Sequence, residues 1–344
     1  MPTSTLEKTN KVNLLETERK ITFIKRIFGK KLESYLNLTK VSSPLYTAAD
    51  SGVQDNLNGT ENAVSFKIKN NGSQNYEIVH SLAKWKRDAL GRFNAESGQG
   101  ILTNMKALRP DEPDLTSSIH SVYVDQWDWE KVMDPSERNL DFLKANIRQI
   151  FQALKGTEER VSEEFGIQGI LPEEISFVHT EELVERWPDK TPREREDLIT
   201  RENGAVFIIG IGGELQDGSV HDGRAPDYDD WTSETSKGRH GLNGDIMVWN
   251  SVLRRAFELS SMGIRVDKET MLKQLEIRGE MARCNLDWHK KLINGDLPQT
   301  IGGGIGQSRL VMFLLHKHHI GEVQVSVWPE EVIESCKEKG IELL

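Results

Sequence analysis

Apolar residues recur at Ile21, Ile24, Phe28, Leu32, Tyr35 and Leu36, which predicts a helix with one buried face over 21–36. KVSSPLYT (40–47) then reads as extended chain, because Pro44 keeps its predecessor out of the helical region. Short strand-like segments follow at YEIVH (76–80), ILTNMKALR (101–109), SVYVDQWDWE (121–130), AVFIIGI (205–211), DIMVW (245–249) and FELSS (257–261). Helical patterns fill 141–164 and 268–293, and a last helix is expected in SRLVMFLLHKH. Several strands neighbour one another in sequence instead of alternating strictly with helices. That order predicts an α+β fold, a mostly antiparallel sheet flanked by helices. The charge-dense run 180–202 reads as a solvated helical face.

Within SVYVDQWDWE the period of two places Gln126 and Asp128 on one face with Val122 and Val124. Tyr123, Trp127 and Trp129 take the other face, towards packing. TIGGGIGQSRL (300–310) reads as a glycine loop opening a helix. It is not a dinucleotide fingerprint, since Gln307 holds the third glycine position, and no Lys-Ser/Thr follows to make a phosphate loop. Arg309 falls in the first turn of that helix, where a cation opposes the dipole and is suited to an anion. A packing contact under a surface arginine is the plainer alternative. GIGG at 210–213 reads as a strand-end turn. Ser81 is placed to cap a short helix whose Lys84 and Arg87 are expected in solvent. QDNLNG (54–59) is a turn by its Asn-Gly, and PDYDDW (226–231) is an acidic turn in which Asp229 is a lesser candidate.

The chain has 344 residues with a net charge of −10, which argues against a large polyanion, nucleic acid included, held by bulk charge. No apolar run approaches a membrane span, and the opening residues are too polar for a signal peptide. Two cysteines exclude a disulfide framework and a four-cysteine zinc site. Cys284 shares a helical spacing with Met281, Trp288 and Leu292 and is expected in a core, while Cys336 lies in a charged tail. His316, His318 and His319 suit a helix C-terminus without a metal, zinc being the other reading. Without repeats or a long linker, 1–344 is expected to be one catalytic domain in a reduced, cytoplasmic setting.

Three segments resemble the motifs of class II aminoacyl-tRNA synthetases, in the correct order. They are the helix ending in LTKVSSP with Pro44, KALRPDE (106–112) with Arg109, and the glycine stretch with Arg309. VHSLAKWKR, HSVYVDQWDWE, RAPDYDDW, GLNGDI, FELSSMGIRVD and PQTIGGGIGQSRL together resemble one family, the aspartate–ammonia ligases of the asparagine synthetase A type. The similarity runs from about residue 16 to residue 330. It implies synthesis of asparagine from L-aspartate, ammonia and ATP through β-aspartyl-AMP, with Mg²⁺, in a homodimer.

The same resemblance assigns expected roles. Gln126 and Asp128 would hold the aspartate amino group; Ser81 would line the same pocket. Lys86 and Arg265 would clamp a carboxylate, although the clamp alone does not reveal which of the two. Arg109 would meet the α-phosphate, and Arg309 the outer phosphate or adenine. Asp245 and Glu258 would hold Mg²⁺, with Ser261 beside them, and Asp55 would steer ammonium. No glutaminase nucleophile is visible, position 2 being proline, so free ammonia is the expected nitrogen donor. A paralogue that adenylates an amino acid for another acceptor is the runner-up. A non-catalytic sensor is disfavoured, because Arg109, Arg309 and Glu258 are all present.

Overall fold

The amphipathic stretch near the N-terminus forms helix α1 (Leu14–Leu36), started by the Asn13 side chain accepting from Glu16 N. Ile21, Ile24, Phe28, Leu32 and Leu36 are buried along one face, and Tyr35 stays exposed. This computed structural model describes residues 13–55, 57, 61–111 and 116–344. Asn56, Asn58 and Gly59 of the expected turn, and Glu112 of KALRPDE, lie outside the described residues.

Eight strands make one sheet: β1 (Leu38–Lys40), β2 (Gly100–Leu108), β3 (Tyr123–Val132), β4 (Ser176–His179), β5 (Ala205–Ile209), β6 (Asn243–Asn250), β7 (Arg255–Ile264) and β8 (Thr300–Gly306). Their spatial order is β1-β2-β3-β8-β7-β6-β5-β4. The pairs at the two ends are parallel and every pair between them is antiparallel. The remaining helices are α2 (Ala83–Arg92), α3 (Leu140–Phe165), α4 (Thr180–Arg186), α5 (Pro192–Asn203), α6 (Lys268–Ile277), α7 (Asp287–Asn294), α8 (Gln307–Leu314) and α9 (Glu330–Glu338). Residues 46–48, 65–67 and 75–78 form a separate three-stranded sheet. No described helix is long and apolar enough to cross a membrane.

One face of the sheet is covered by α1, α3 and α8 in the main apolar core, where Phe28 meets Trp127 edge to face at 4.6 Å. The other face is covered only in parts. A second cluster packs Leu183 of α4 and Ile199 of α5 on β4–β6, and α2 lies over β3 and β8. The run 180–202 is therefore two helices, and it buries Glu181 and Arg195 as well as apolar groups. What lies between these covers is open sheet.

Several expectations change. The glycines of 300–306 are the central strand β8, not a loop. A Cβ at Gly302 would stand 2.0 Å from Glu130 Oε2, one at Gly303 2.4 Å from Met262 Cβ, and one at Gly304 2.4 Å from Gln126 Oε1. Neighbouring side chains already fill the space above this strand. The helix expected over 268–293 is split, because Gly279 adopts φ +68° after α6 and a 3₁₀ turn follows. In that turn Met281 is exposed and Cys284 is half-buried against Trp288. Cys336 is buried in the main core, not left in a solvated tail. The helix expected to be the last, α8, stops at Leu314, earlier than expected, with His316 at φ +53°, and α9 follows it.

Gly303→Ala is expected to lower stability by about 1–3 kcal/mol, since the new methyl meets strand backbone as well as Met262. Gly91→Ala, in α2 with nothing nearer than 3.5 Å, is expected to raise it by about 0.4–1 kcal/mol. Urea midpoints of the two variants check the pair.

Candidate active site

The open part of the sheet is a cavity of about 420 Å³. Ten residues singled out from sequence line it together: Asp55, Ser81, Lys86, Arg109, Gln126, Asp128, Glu258, Ser261, Arg265 and the lesser candidate Asp229. An adjoining cavity of about 210 Å³ contains Arg309 and shares Arg109, His120, Gln126, Glu258 and Gly304 with the first. Asp245 lines neither, but it is bound to a residue that does: Arg224 Nη2 donates to its Oδ1 at 2.6 Å.

Strand geometry explains most of this convergence. Gln126, Asp128 and Glu130 share one face of β3, while Trp127 and Trp129 are buried on the opposite face. On β7 the register with β6 shifts, so that Ser260 opposes Ile246 while Glu258 opposes Met247. This bulge at Leu259 is why Glu258 and Ser261, three apart, both reach the cavity; a regular strand would send them to opposite faces.

Glu130 organises the floor. Its carboxylate accepts from Arg265 Nε at 2.9 Å and Nη2 at 2.8 Å, and from Thr300 Oγ1 at 2.7 Å, with Lys86 Nζ 3.8 Å away. Burial pushes this carboxyl up, but Arg265 and Lys86 hold it below its ordinary value. Arg265 Nη1 also donates to Asp229, leaving two of its five N–H groups for a ligand. Burial raises Asp229 even against Arg265 and Arg224. Lys86 is fully buried and donates to Asp128 Oδ1 at 2.6 Å and to the Gly303 carbonyl at 2.9 Å. The other oxygen, Asp128 Oδ2, is buried without a partner.

At the cavity's edge Gln54 bonds the backbone of 78–80 through both ends of its amide, and this holds the adjoining Asp55. Ser81 does not cap α2, whose cap position is Leu82; its hydroxyl donates to Asp55 Oδ2 at 2.6 Å. Asp55 Oδ1 accepts from Leu57 N at 2.9 Å. Arg109 is anchored by two bonds to the His80 carbonyl, at 3.0 and 3.2 Å. Lys84 and Arg87, expected in solvent, are both buried. Lys84 pairs with Asp227 at 2.9 Å, and Arg87 donates to the Val266 and Pro298 carbonyls.

The third charged group of residues joins Arg309 Nη1 to Glu258 Oε2 at 3.1 Å. Burial, opposed by Arg224 and reinforced by Glu258, lifts Asp245 to about 7. Burial and the charge of Arg309 push His120 down to about 4, so its imidazole is neutral at physiological pH. Sequence reasoning missed Glu130, Arg224 and His120. Glu130 was within reach, as the next member of the Gln126–Asp128 face.

The fold that carries this floor has counterparts among solved structures. Asparaginyl-tRNA synthetase from Pyrococcus horikoshii, complexed with asparaginyl-adenylate, superposes with a TM-score of 0.67 at 15% identity, over 91% of this chain and 70% of its own. Entamoeba histolytica asparaginyl-tRNA synthetase with asparaginyl-adenylate gives 0.64 at 12%, over 92% and 69%. Aspartyl-tRNA synthetase from the same organism gives 0.64 at 12%, over 95% of this chain and 64% of its own. The architecture is that of a class II aminoacyl-tRNA synthetase catalytic core. Within that class the chain belongs to the aspartate–ammonia ligase family, whose model matches residues 15–340, ten residues beyond the similarity read from sequence.

Glu130→Gln is expected to cost about 3–5 kcal/mol, because it leaves Arg265 and Lys86 buried with less compensation. A carboxyl depressed on folding contributes stability above its unfolded value, near 4.5, and loses it as pH falls through the folded one. The difference between wild type and variant in urea titrations should thus be full at pH 7 and shrink below the carboxylate range. A constant difference across pH would contradict this.

Proposed function

We propose that this ligase makes asparagine by activating the side-chain carboxylate of aspartate as an adenylate, within one catalytic unit formed by the whole chain. The observation that carries the reading is Asp128, which lines the cavity with Gln126 and Arg265 and keeps one carboxylate oxygen, Oδ2, buried without a partner. A buried carboxylate oxygen left without a hydrogen bond is costly, and a ligand ammonium relieves it. Asp128 and Gln126 then take the amino group of aspartate. The two free N–H groups of Arg265 take a carboxylate, and Lys86 holds Asp128 in position beside it.

In this reading the remaining carboxylate points along the cavity towards Arg109 and attacks the α-phosphorus of ATP, expelling pyrophosphate. Arg109, fixed by the His80 carbonyl, offsets the charge that builds on the phosphate. Arg309, with neutral His120 nearby, serves the nucleotide. Asp245, which is buried, and Glu258, which is part-exposed, repel each other, and together they would hold a cation. When bound there, Mg²⁺ would supply charge neutralisation beside the phosphates, with Ser261 adjacent. Ammonium is drawn to Asp55, gives up a proton, and attacks the acyl carbon to release AMP. The ligase is further inferred to work in the cytoplasm as a homodimer through the α1 region, where Tyr35, Leu45 and Tyr46 are exposed.

Purified protein given aspartate, Mg-ATP and ammonium is expected to release AMP and asparagine in step, and neither product without ammonium. Glutamine or tRNA in place of ammonium should not restore asparagine. AMP formed with tRNA alone would send the acyl group elsewhere, and aspartate binding without turnover would favour a sensor. Asp55→Asn is expected to lower amide formation at least about 100-fold while ATP binding persists. Unchanged turnover in that variant would refute its role.

A further inference from the structure

Helix α8 carries Arg309, yet it starts without a side-chain cap of its own. Its N-cap is Gly306, which has nothing to accept from the free N–H groups of the first turn. The pairing of β8 with β3 ends at Gly306 opposite Gln126, and the chain then turns into α8. One residue further along β3, on that side, the neighbour is therefore the start of a helix and not a strand. The residue in that position is Asp125.

Asp125 is buried, and its Oδ1 accepts from Ser308 N at 3.0 Å and from Ser308 Oγ at 2.6 Å. It thus caps α8 from another element. Gln324 Nε2 donates to the same hydroxyl at 2.9 Å and completes the junction. The next residue is Arg309, whose Nη1 reaches Glu258 Oε2 at 3.1 Å. A carboxylate at this helix end suits the dipole, which the cation of Arg309 in the same turn opposes.

The capping group is also a charge in the wrong place for a polyanion. Asp125 lines the smaller cavity with Arg109 and Arg309, where a bare carboxylate would repel phosphate. Its other oxygen, Oδ2, accepts from Lys25 Nζ at 2.7 Å. Lys25 belongs to α1 and lies 100 residues away in the chain. One oxygen of Asp125 therefore serves the helix, and the other is matched by a cation from the apolar side of the sheet.

We propose that Asp125 and Lys25 are positioning residues for the nucleotide. Asp125 fixes the first turn of α8 so that Arg309 is presented to the site, and Lys25 cancels the charge of that carboxylate. Both act through other groups, and no bond forms or breaks on them. The proposal rests on the adenylate reading above, in which Arg309 serves the nucleotide, and extends it to α1.

Calorimetric titration with Mg-ATP reads the effect without turnover, and amide hydrogen exchange over residues 306–309 reads the seating of α8. Asp125→Ala is expected to weaken Mg-ATP binding about tenfold and to speed exchange of the Ser308 amide. Aspartate affinity in the same titrations should stay unchanged. Asp125→Asn keeps an acceptor for that amide and should remain within about twofold of wild type. Lys25→Met leaves the carboxylate uncancelled and should weaken Mg-ATP binding about fivefold. Adding Asp125→Asn to Lys25→Met should restore it, a non-additivity that lost packing would not produce. Mg-ATP binding or Ser308 exchange unaltered by Asp125→Ala, equal weakening of Mg-ATP and aspartate, or no rescue in the double variant would each overturn the proposal. So would a wild type that binds no Mg-ATP. A wild type that binds Mg-ATP but forms no AMP with aspartate and ammonium would remove the adenylate reading and leave these two roles standing.

Discussion

The Glu130 carboxylate, buried beneath the site, accepts from Nε and Nη2 along one edge of the Arg265 guanidinium and from Thr300, with Lys86 close by. Much of the surrounding structure is arranged around it. Strand β8 has glycine at Gly302 because any side chain there would occupy the position of the Glu130 carboxylate. Its carbonyl at Gly303 in turn receives Lys86. Asp229 comes to Arg265 from the 224–231 loop, and Arg224 of that loop reaches Asp245 on the next strand. Opposite charges are brought together in low dielectric so that each is compensated by protein groups. One oxygen of Asp128 and two N–H groups of Arg265 are left over. Buried charges of this kind contribute less to stability than to position.

That balance separates two halves of the site. In the proposed reading the end that takes aspartate is nearly neutral and built on strands β3, β7 and β8. The other end, in the proposed reading the one that takes the phosphates, brings Arg109, Arg193 and Arg309 to the two adjoining cavities. A small zwitterion and a polyanion need these opposite designs. The bulge in β7 joins the halves, because it turns both Glu258 and Ser261 to the same side.

Much of this was legible in the sequence, and the reasons are physical. Strand periodicity placed Gln126 and Asp128 together, and the helical period of Ile21 to Leu36 placed α1 on the core. Charge and glycine were read less well. Lys84 and Arg87 look like a solvated face until their partners Asp227, Val266 and Pro298, about 140 or more residues away, are folded against them. The glycine run looks like a loop because local propensity disfavours it in strands, and the demand for space comes from Glu130, Gln126 and Met262 on adjoining strands. The bulge at Leu259 has no signature in FELSS, since it depends on the pairing with β6.

The central claim is that the side-chain carboxylate of aspartate becomes joined to AMP. The most direct measurement uses aspartate labelled with ¹⁸O in that carboxylate, followed by mass analysis of the AMP and asparagine formed with ammonium. The account predicts one labelled oxygen in the phosphate of AMP for each asparagine made. Label absent from AMP and present instead in inorganic phosphate or pyrophosphate would contradict it.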